Sequence, residues 1–532
     1  MWNWMITPIR RIVLMDCQVA WAGLLIFVLS FYVQQVRLGG GATPLSRIAL
    51  LRSFVQHGTL VIDAYHGQTP DTASAHGHYY SDKAPGTVTL ALPAFAAAAG
   101  CLKTAGIGLD SMTGWLFTDW AACAFSQALP AALGAVALLV WLGHFVSERV
   151  ALGTVLALFL GGMPLPYCTM LFSHAQVVGL IGIAIWAMKL FQDDGGQRAE
   201  DEYGEQRAED GVGQGRMAVA GFCLGLALAS EYTAGIVVMA LVGYVVVTQW
   251  RARRSKLAEV GSAEPRPTGQ DAIEPEGGRL GEPTLPERGT GWKPVLRVKR
   301  RALLWFFLAA IPPLLLIPAY SGATIGNPFV LPYSFNESFP EMKQGLYAIQ
   351  WPDAETAFNL LFSPSHGLFF WSPFLLLAGF GYPTLLRRSV AAFWLMYLVP
   401  LLQVVVISGR VWDWQAGYCF GPRYLAPMLP LLALPCALGV QRWPKLGIVL
   451  GVYSIVVVTL ATLTDACADS SFYNPLTEHN LPMFLNGKFA YNLGTAVFGL
   501  PPFASVAMFY AILIGGIAWL WRLTREPNKV VG

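Results

Sequence analysis

Residues 62–86 read IDAYHGQTPDTASAHGHYYSDKAPG and lie between two long apolar runs, at about residues 17–36 and 86–106. The stretch concentrates titratable side chains in a chain that is otherwise strongly apolar: Asp63, His66, Asp71, His76, His78, Asp82 and Lys83. Charged groups in apolar surroundings are costly unless they are solvated or paired. We therefore predict a loop that faces water and is held over a cavity by a membrane-embedded scaffold.

The composition indicates the class of protein. Of the 532 residues, 55% are hydrophobic and only 13% are charged, whereas soluble domains carry about a quarter charged residues. Apolar runs of roughly 18 residues or more recur along the chain, which predicts an all-α polytopic membrane protein of about 11 to 13 spans. The net charge of +3 is small and dispersed, so we expect the lipid bilayer as a partner and no nucleic acid.

Basic residues give the predicted orientation. Arg10 and Arg11 precede the first apolar run, which places the N-terminus in the cytoplasm by the positive-inside rule. Residues 251–301 are rich in Pro, Gly and Glu with basic ends, and we predict a disordered cytoplasmic linker there. The linker separates an N-terminal module, residues 1–250, from a C-terminal module, residues 302–532. The predicted outer loops are 38–85, 321–366, 409–423 and 465–500.

Three further segments carry local predictions. Residues 44–57 place Ile48 and Leu51 on one helical face and Arg47 and Arg52 on another. This pattern predicts a short helix in the outer membrane interface, with an ordinary extramembrane helix as the alternative. The polar insert 192–216 contains QRAED twice and is predicted to be a disordered loop. Residues 217–250 are long enough for two short helices, broken near Ser230 and Glu231.

Two motifs resemble a known family. Residues 80–86, YSDKAPG, are similar to the Tyr/Phe-x-x-Lys-Pro-Pro-like motif that opens the second span of C-type (GT-C) glycosyltransferases. The protein O-mannosyltransferases and the lipid A aminoarabinose transferase belong to this class, related to glycosyltransferase family 39. Residues 412–427, WDWQAGYCFGPRYLAP, resemble a segment of uncharacterised bacterial membrane proteins grouped with these transferases.

The resemblance implies both a fold and an activity. It implies a GT-C-like helical bundle in the bacterial inner membrane, with its site on the outer face. The expected donor is a polyprenyl-phosphate sugar, and the expected acceptor is a lipid, a glycan or a protein. The chain departs from the family pattern before the interfacial helix, where better-known members have an acidic residue and this sequence has Thr43-Pro44-Leu45.

Glycosyl transfer from a lipid phosphate needs a carboxylate to accept the proton of the acceptor hydroxyl. Because of the departure at residues 43–45, Asp63 and Asp71 are the nearest candidates for this catalytic base. Asp63 also fits a turn or helix-capping role, and Asp71 also fits the role of a turn residue. The departing phosphate needs cations, for which Lys83, Arg423 and Arg47 are suited.

The remaining candidates are assigned to substrate binding, each with a structural alternative. Tyr80 and Trp414 suit stacking on a sugar, although Trp414 also fits an interfacial aromatic belt. Asp82 beside Lys83 also fits a local ion pair. Glu231 interrupts an apolar run, as functional groups inside membranes do, or it lies at a turn. His174 begins a span where related transferases often have an acidic residue near the donor phosphate, or it is simply a helix-end histidine.

Other functions remain as alternatives. The three loop histidines and Asp71 match no compact zinc spacing, so we expect no cofactor, with a divalent metal as an open alternative. A transporter or flippase would show paired internal repeats and charges near mid-membrane. The apolar segments show no such repeat, and the charged residues gather on one predicted side. A structural subunit without a site would leave the polar loop unexplained.

Overall fold

The computed structural model describes residues 3–35, 42–191, 206–261, 300–343 and 349–524. It is a polytopic helical membrane protein, as predicted. Seven of the described helices are long and apolar enough to cross a membrane: Gly86–Thr104, Met112–Leu142, Arg300–Ile325, Val390–Ser408, Arg423–Arg442, Pro444–Leu463 and Pro502–Leu523. Shorter apolar helices lie at Gln18–Tyr32, His174–Ala187 and Tyr232–Thr248.

The described residues form twenty α-helices, of which ten lie in the first half of the chain: α1 Asn3–Tyr32, α2 Ala42–His57, α3 Gly86–Thr104, α4 Met112–Cys123, α5 Leu129–Leu142, α6 Glu148–Leu160, α7 Pro164–Cys168, α8 His174–Ala187, α9 Gln206–Ser230 and α10 Gly235–Gly261. A single π turn, Ala124–Ala128, joins α4 to α5. Pro130 has no N–H to give to the carbonyl of Ser126, and the wider turn absorbs that missing bond.

The second half forms ten more helices: α11 Arg300–Ile325, α12 Ala354–Phe362, α13 Leu368–Trp371, α14 Leu377–Arg388, α15 Val390–Ser408, α16 Leu429–Arg442, α17 Pro444–Leu463, α18 Leu481–Leu485, α19 Leu493–Ala496 and α20 Pro502–Leu523. The apolar run at 367–386 is predicted as one span but is interrupted at Ser372, because Pro373 disfavours helical geometry in the residue before it. The Ser372 hydroxyl there donates to the carbonyl of Gly161, at 2.9 Å.

Close helix packing fixes the position of α8. A Cβ atom at Gly134 in α5 would overlap the Cα of Gly179 in α8, so neither position has room for a side chain. Small residues allow membrane helices to approach closely and gain van der Waals contact. This contact sets the start of α8, where His174 lies.

The polar loop folds as a β-hairpin. Strands β2, Thr72–Ala75, and β3, His78–Ser81, pair antiparallel across a two-residue turn. Both turn residues have positive φ, 55° for His76 and 77° for Gly77, as a type I′ hairpin turn requires. The hairpin is attached to the C-terminal half through the end of α11: the hydroxyl of Tyr320 donates to the carbonyl of Ser81, at 2.8 Å. A second short pair, β1 Val33–Gln34 with β4 Tyr491–Asn492, holds the end of α1.

The helix predicted at residues 44–57 is present as α2, but its polar face is not solvated. Arg47 is 2% exposed and Arg52 is fully buried. The guanidinium of Arg52 lies 3.9 Å from the ring centroid of Trp115 and pairs with Asp110. The arginine face of α2 therefore packs inside the protein, against α4, the loop before it and the α7–α8 connection. The interfacial position of the helix stays a prediction.

The predicted break near Ser230 and Glu231 is confirmed, since α9 ends at Ser230 and α10 begins at Gly235. Parts of two segments that were predicted to be disordered are helical. Helix α10 continues to Gly261 and so includes the first eleven residues of the predicted linker, and α9 already begins at Gln206 within the polar insert. Residues 192–205 and 262–299 lie outside the described residues.

Candidate active site

Lys83 lies between two buried carboxylates at the base of the hairpin. Its ammonium nitrogen is 3.0 Å from Oδ2 of Asp71 and 3.2 Å from Oδ1 of Asp82. The residues are 7%, 3% and 1% exposed, in that order. The same nitrogen lies 4.9 Å from the ring centroid of Tyr333. Three sequence candidates therefore meet in one buried charge cluster.

The protonation of this cluster follows from burial and pairing. Burial raises the pKa of Asp82 to about 6, although Lys83 and a hydrogen bond from Asn336 oppose the rise. Burial also disfavours the charged form of Lys83, but Asp71 and Asp82 outweigh that effect and raise the pKa of Lys83. The lysine is thus charged at neutral pH, and the pKa of Asp82 lies above the ordinary value of a carboxyl group.

The first turn of α2 holds Asp71. The hydroxyl of Thr43 donates to Oδ2 of Asp71 at 2.8 Å, and the hydroxyl of Ser46 donates to the carbonyl of Asp71 at 2.7 Å. Thr43 belongs to residues 43–45, where the sequence departs from the family that it resembles by having no acidic residue. The structure brings the carboxylate of Asp71, which is 28 residues further along the chain, into contact with that place.

Arg423 lies on the other side of the same threonine. Its Nη1 donates to the hydroxyl of Thr43 at 3.5 Å, and its Nη2 donates to the hydroxyl of Tyr424 at 3.3 Å. The guanidinium also lies 5.2 Å from the ring centroid of Phe172. Among the described residues no carboxylate pairs with it, and its Nε is buried without a hydrogen-bond partner. A half-buried guanidinium whose Nε has no partner favours an anionic ligand.

A second buried group surrounds His174 at the start of α8. Arg47 donates to the carbonyl of Leu171 at 3.2 Å and to the hydroxyl of Ser173 at 3.4 Å. Ser173 in turn donates to Oε2 of Glu231 at 2.7 Å. That oxygen is 3.8 Å from Nε2 of His174. Glu231 does lie at the turn between α9 and α10, and it also faces His174.

Both ring nitrogens of His174 are buried without a hydrogen-bond partner in the described part of the chain. The ring stacks on Tyr167, with 4.8 Å between centroids. The structure thus joins Arg47, His174 and Glu231, three candidates from separate parts of the sequence.

Three candidates lie apart from these groups. Asp63 accepts hydrogen bonds from Nδ1 of His78 at 2.8 Å and from the backbone N–H of Tyr79 at 2.7 Å. Its side chain is 45% exposed. Slight burial works against ionisation, but these hydrogen bonds hold the pKa of Asp63 below its ordinary value. Asp63 therefore ties the start of its own segment to β3, and it belongs to neither of the two buried groups above.

The side chains of Tyr80 and Trp414 pack against other parts of the protein. Tyr80 is buried within β3, opposite Ala73, so its ring is not available as a platform for a sugar. Trp414 packs edge-to-face against His366, with 6.2 Å between centroids.

Two further polar residues were not among the sequence candidates, and Asn336 is the one that lies at the site. Asn336 donates to Oδ2 of Asp82 at 2.9 Å and to the carbonyl of Pro70 at 3.1 Å. It is 254 residues from Asp82, so only the fold relates the two. Asp119, inside the long α4–α5 rod, accepts a hydrogen bond from Gln34 at 2.8 Å. The signal for Asp119 was its position as an ionisable residue within an apolar run.

The loop histidines do not converge. His66 stacks on Tyr79, His78 bonds to Asp63, and Nε2 of His76 lies 3.2 Å from the carbonyl oxygen of Ile325. Within the described ranges, no group of three or more His, Cys, Asp or Glu side chains is placed to hold a metal ion.

No family model and no curated protein matches the chain. Three solved structures align with it at low identity. ArnT from Cupriavidus metallidurans bound to undecaprenyl phosphate aligns with a TM-score of 0.46 and 15% identity, over 96% of this chain and 76% of that one. The archaeal oligosaccharyltransferase AglB from Archaeoglobus fulgidus, in complex with an inhibitory peptide and a dolichol-phosphate, gives 0.36 and 16%, over 96% and 56%.

A second structure of the Archaeoglobus fulgidus oligosaccharyltransferase, tethered to an acceptor peptide, gives 0.37 and 14%, over 93% and 55% of the two chains. The chain therefore spans about half the length of the two oligosaccharyltransferase chains. Because the scores and identities are low, the function of this chain rests on its own residues. Those residues define a polytopic helical membrane protein with a buried cluster of cations and carboxylates beside its polar hairpin.

Proposed function

We propose that the protein is a membrane-embedded glycosyltransferase that moves a sugar from a polyprenyl-phosphate donor to an acceptor at the outer face of a bacterial inner membrane. One observation carries the proposal. The hydroxyl of Thr43 contacts both the carboxylate of Asp71 and the guanidinium of Arg423, which has no carboxylate partner of its own among the described residues. The Thr43 hydroxyl thus lies between the carboxylate of Asp71 and the guanidinium of Arg423, which has no anionic partner in the described structure.

The donor phosphate is assigned to Arg423, with Arg47 and Lys83 adding positive charge. The guanidinium of Arg423 suits a phosphate geometrically, because two of its N–H groups can donate to two oxygens at once. In the displacement, the bond between the anomeric carbon and the phosphate oxygen breaks, and polyprenyl phosphate leaves with the electron pair. Fixed donors aimed at such developing charge contribute about 10²–10³-fold in rate.

The proton of the acceptor hydroxyl is assigned to Asp71. As the acceptor oxygen bonds to the anomeric carbon, its proton moves to Oδ2 of Asp71, and a single displacement inverts the configuration of the sugar. Lys83 retains Asp82 as its partner when Asp71 becomes neutral, so the buried charge stays balanced. General-base catalysis of this kind contributes about 10²–10⁴-fold.

The proposed site draws on both halves of the chain. Thr43, Asp71 and Lys83 come from the proposed N-terminal module, and Tyr333 and Arg423 come from the C-terminal one. Neither module would hold the donor alone. His174 and Glu231 lie beside Arg47 and are assigned to the donor headgroup.

The test uses the purified full-length protein in lipid nanodiscs with a panel of radiolabelled polyprenyl-phosphate sugars. Wild type is expected to release or transfer sugar from one donor. Asp71→Asn is expected to bind that donor and turn it over about 10²-fold more slowly or worse. Asp63→Asn serves as the matched control, because that carboxylate lies in the same loop outside the cluster.

Failure of every donor to bind or turn over would overturn the transferase proposal. Transport of a lipid-linked or polar solute in sealed vesicles would then be measured, since a transporter or flippase is the alternative.

A further inference from the structure

The outer side of the hairpin carries an open pocket of about 350 Å³. Its volume lies at the small end of the range for small-molecule sites. The side chains that define it come from both halves of the chain: His66, Gln68, Thr72, Tyr79, Glu337 and Ser338. The pocket is separate from the buried charge cluster, and neither the donor phosphate nor the catalytic base is assigned to it.

The pocket contains a flat aromatic wall. The rings of His66 and Tyr79 are stacked, with 3.7 Å between their centroids and 4° between their planes. Asp63 holds this wall in place, because it accepts a hydrogen bond from the backbone of Tyr79. A flat, rigid aromatic surface with one polar edge packs well against the C–H face of a sugar ring.

The polar groups of the pocket determine the charge of its ligand. Gln68, Thr72 and Ser338 supply both hydrogen-bond donors and acceptors. Glu337 supplies the carboxylate, and no Lys or Arg lines the pocket among the described residues. This carboxylate would repel an anionic headgroup, and an acyl chain would desolvate the polar groups. A polyhydroxylated ligand without negative charge avoids both of these penalties.

Hydrogen bonds link the wall of the pocket to the proposed catalytic cluster. Asn336, next to Glu337, donates to the carbonyl of Pro70 in the pocket wall and to the carboxylate of Asp82. The backbone N–H of Asp71 donates to the hydroxyl of Thr69, which also lines the pocket. A ligand that orders this wall therefore orders the segment that holds Asp71.

We infer that this pocket binds a neutral sugar of a glycan acceptor, with His66 and Tyr79 as the stacking wall and Glu337 as a hydrogen-bond acceptor for its hydroxyl groups. The assignment as an acceptor site rests on the proposed transferase function. The assignment of a neutral saccharide as the ligand rests on the pocket alone.

The test measures saccharide binding by saturation-transfer NMR, with the full-length protein in nanodiscs and no donor present. The probes are cellobiose, maltose and chitobiose, with methyl phosphate and glycerol as the non-saccharide probes. At least one disaccharide is expected to saturate. His66→Ala is expected to weaken its binding at least fivefold, whereas His66→Phe, which keeps a flat ring against Tyr79, is expected to retain it.

Matched controls come from exposed residues of the same types outside the pocket. His57→Ala and Glu355→Gln are expected to bind as wild type, whereas Glu337→Gln is expected to weaken binding about twofold to fivefold. The inference is overturned if no disaccharide saturates, if methyl phosphate or glycerol binds as well as the sugars, or if His66→Ala binds normally.

Donor turnover is measured separately in wild type. A disaccharide that binds in a His66-dependent way to a protein that turns over no donor would contradict the transferase proposal while supporting the saccharide pocket. Donor turnover without any saccharide binding would contradict the pocket while leaving the transferase proposal in place.

Discussion

Lys83 and Arg423 are two cations of one site with opposite electrostatic surroundings. Lys83 is within ion-pair distance of two carboxylates, and its charge is compensated within the protein. The guanidinium of Arg423 donates to two hydroxyl groups and lies over aromatic rings, and no carboxylate forms an ion pair with it in the described structure. A compensated cation holds its neighbours in position, whereas an uncompensated one retains attraction for a ligand. We therefore assign Lys83 to positioning Asp71 and Arg423 to the donor phosphate.

Replacing Lys83 tests its assigned role in positioning Asp71, and we expect it to give the largest loss of stability among the variants. Lys83→Met leaves Asp71 and Asp82 buried without their cation, and breaking a buried pair in this way costs about 3–5 kcal/mol of stability. Thermal unfolding in nanodiscs measures the loss. Replacement of exposed Lys445 by Met is the control, and an unchanged melting temperature for Lys83→Met would contradict the assignment.

Loss of Arg423 tests the ligand-binding side. Arg423→Ala is expected to lower kcat/KM for the donor by about 10²–10³-fold, with no loss of stability comparable to that of Lys83→Met, because no ion pair is broken. Donor turnover and thermal unfolding are measured on the same preparation, with exposed Arg442→Ala as control. Turnover within twofold of wild type would remove Arg423 from the site.

The pH dependence of donor binding sharpens the comparison further. Because burial raises the pKa of Asp82 to about 6, this carboxyl is mostly neutral at pH 5 and mostly ionised at pH 7.5. The net charge of the cluster therefore becomes more negative by about one unit as the pH rises through 6, because Asp82 ionises while Lys83 stays charged. A donor phosphodiester keeps its single negative charge over the same range. Donor affinity is expected to fall by a few-fold between these pH values. Asp82→Asn should abolish that fall and bind at pH 7.5 as wild type does at pH 5.

The smallest effect is expected at Asp63. Asp63→Asn keeps one hydrogen-bond acceptor for the N–H of Tyr79 and removes an exposed charge, so stability should change by less than about 1 kcal/mol. Turnover of the donor should remain within about twofold of wild type. A loss as large as that of Asp71→Asn would show that the exposed carboxylate, not the buried one, takes the proton.

The sequence predicted the helices better than the site. Long apolar runs fix helix existence through the thickness of the membrane, and the polar pair Ser230-Glu231 correctly marked the end of α9. Periodicity also placed α2, but it shows which residues share a face and not what covers that face. The burial of Arg47 and Arg52 was therefore not visible in the sequence.

The central contacts of the site depend on residues far apart in the chain. Thr43 meets Asp71 across 28 residues, and it meets Arg423 across 380. Local patterns carry no information about such pairs without an alignment or a fold. The charged residues of the hairpin were singled out by their chemistry, yet only burial separates Asp71 from Asp63 and gives the two carboxylates different proposed roles.

The π turn between α4 and α5 acts as a phase shift within one rod. A π turn contains one more residue than an α turn, and one residue corresponds to about 100° of rotation in an α-helix. The two halves of the rod can therefore present different sides to different neighbours: α4 directs Asp119 towards Gln34, and α5 directs Gly134 towards α8. If the same residues were wound as a plain α-helix, the glycine contact would be rotated by about 100° away from α8, and His174 would lose its fixed place beside Glu231.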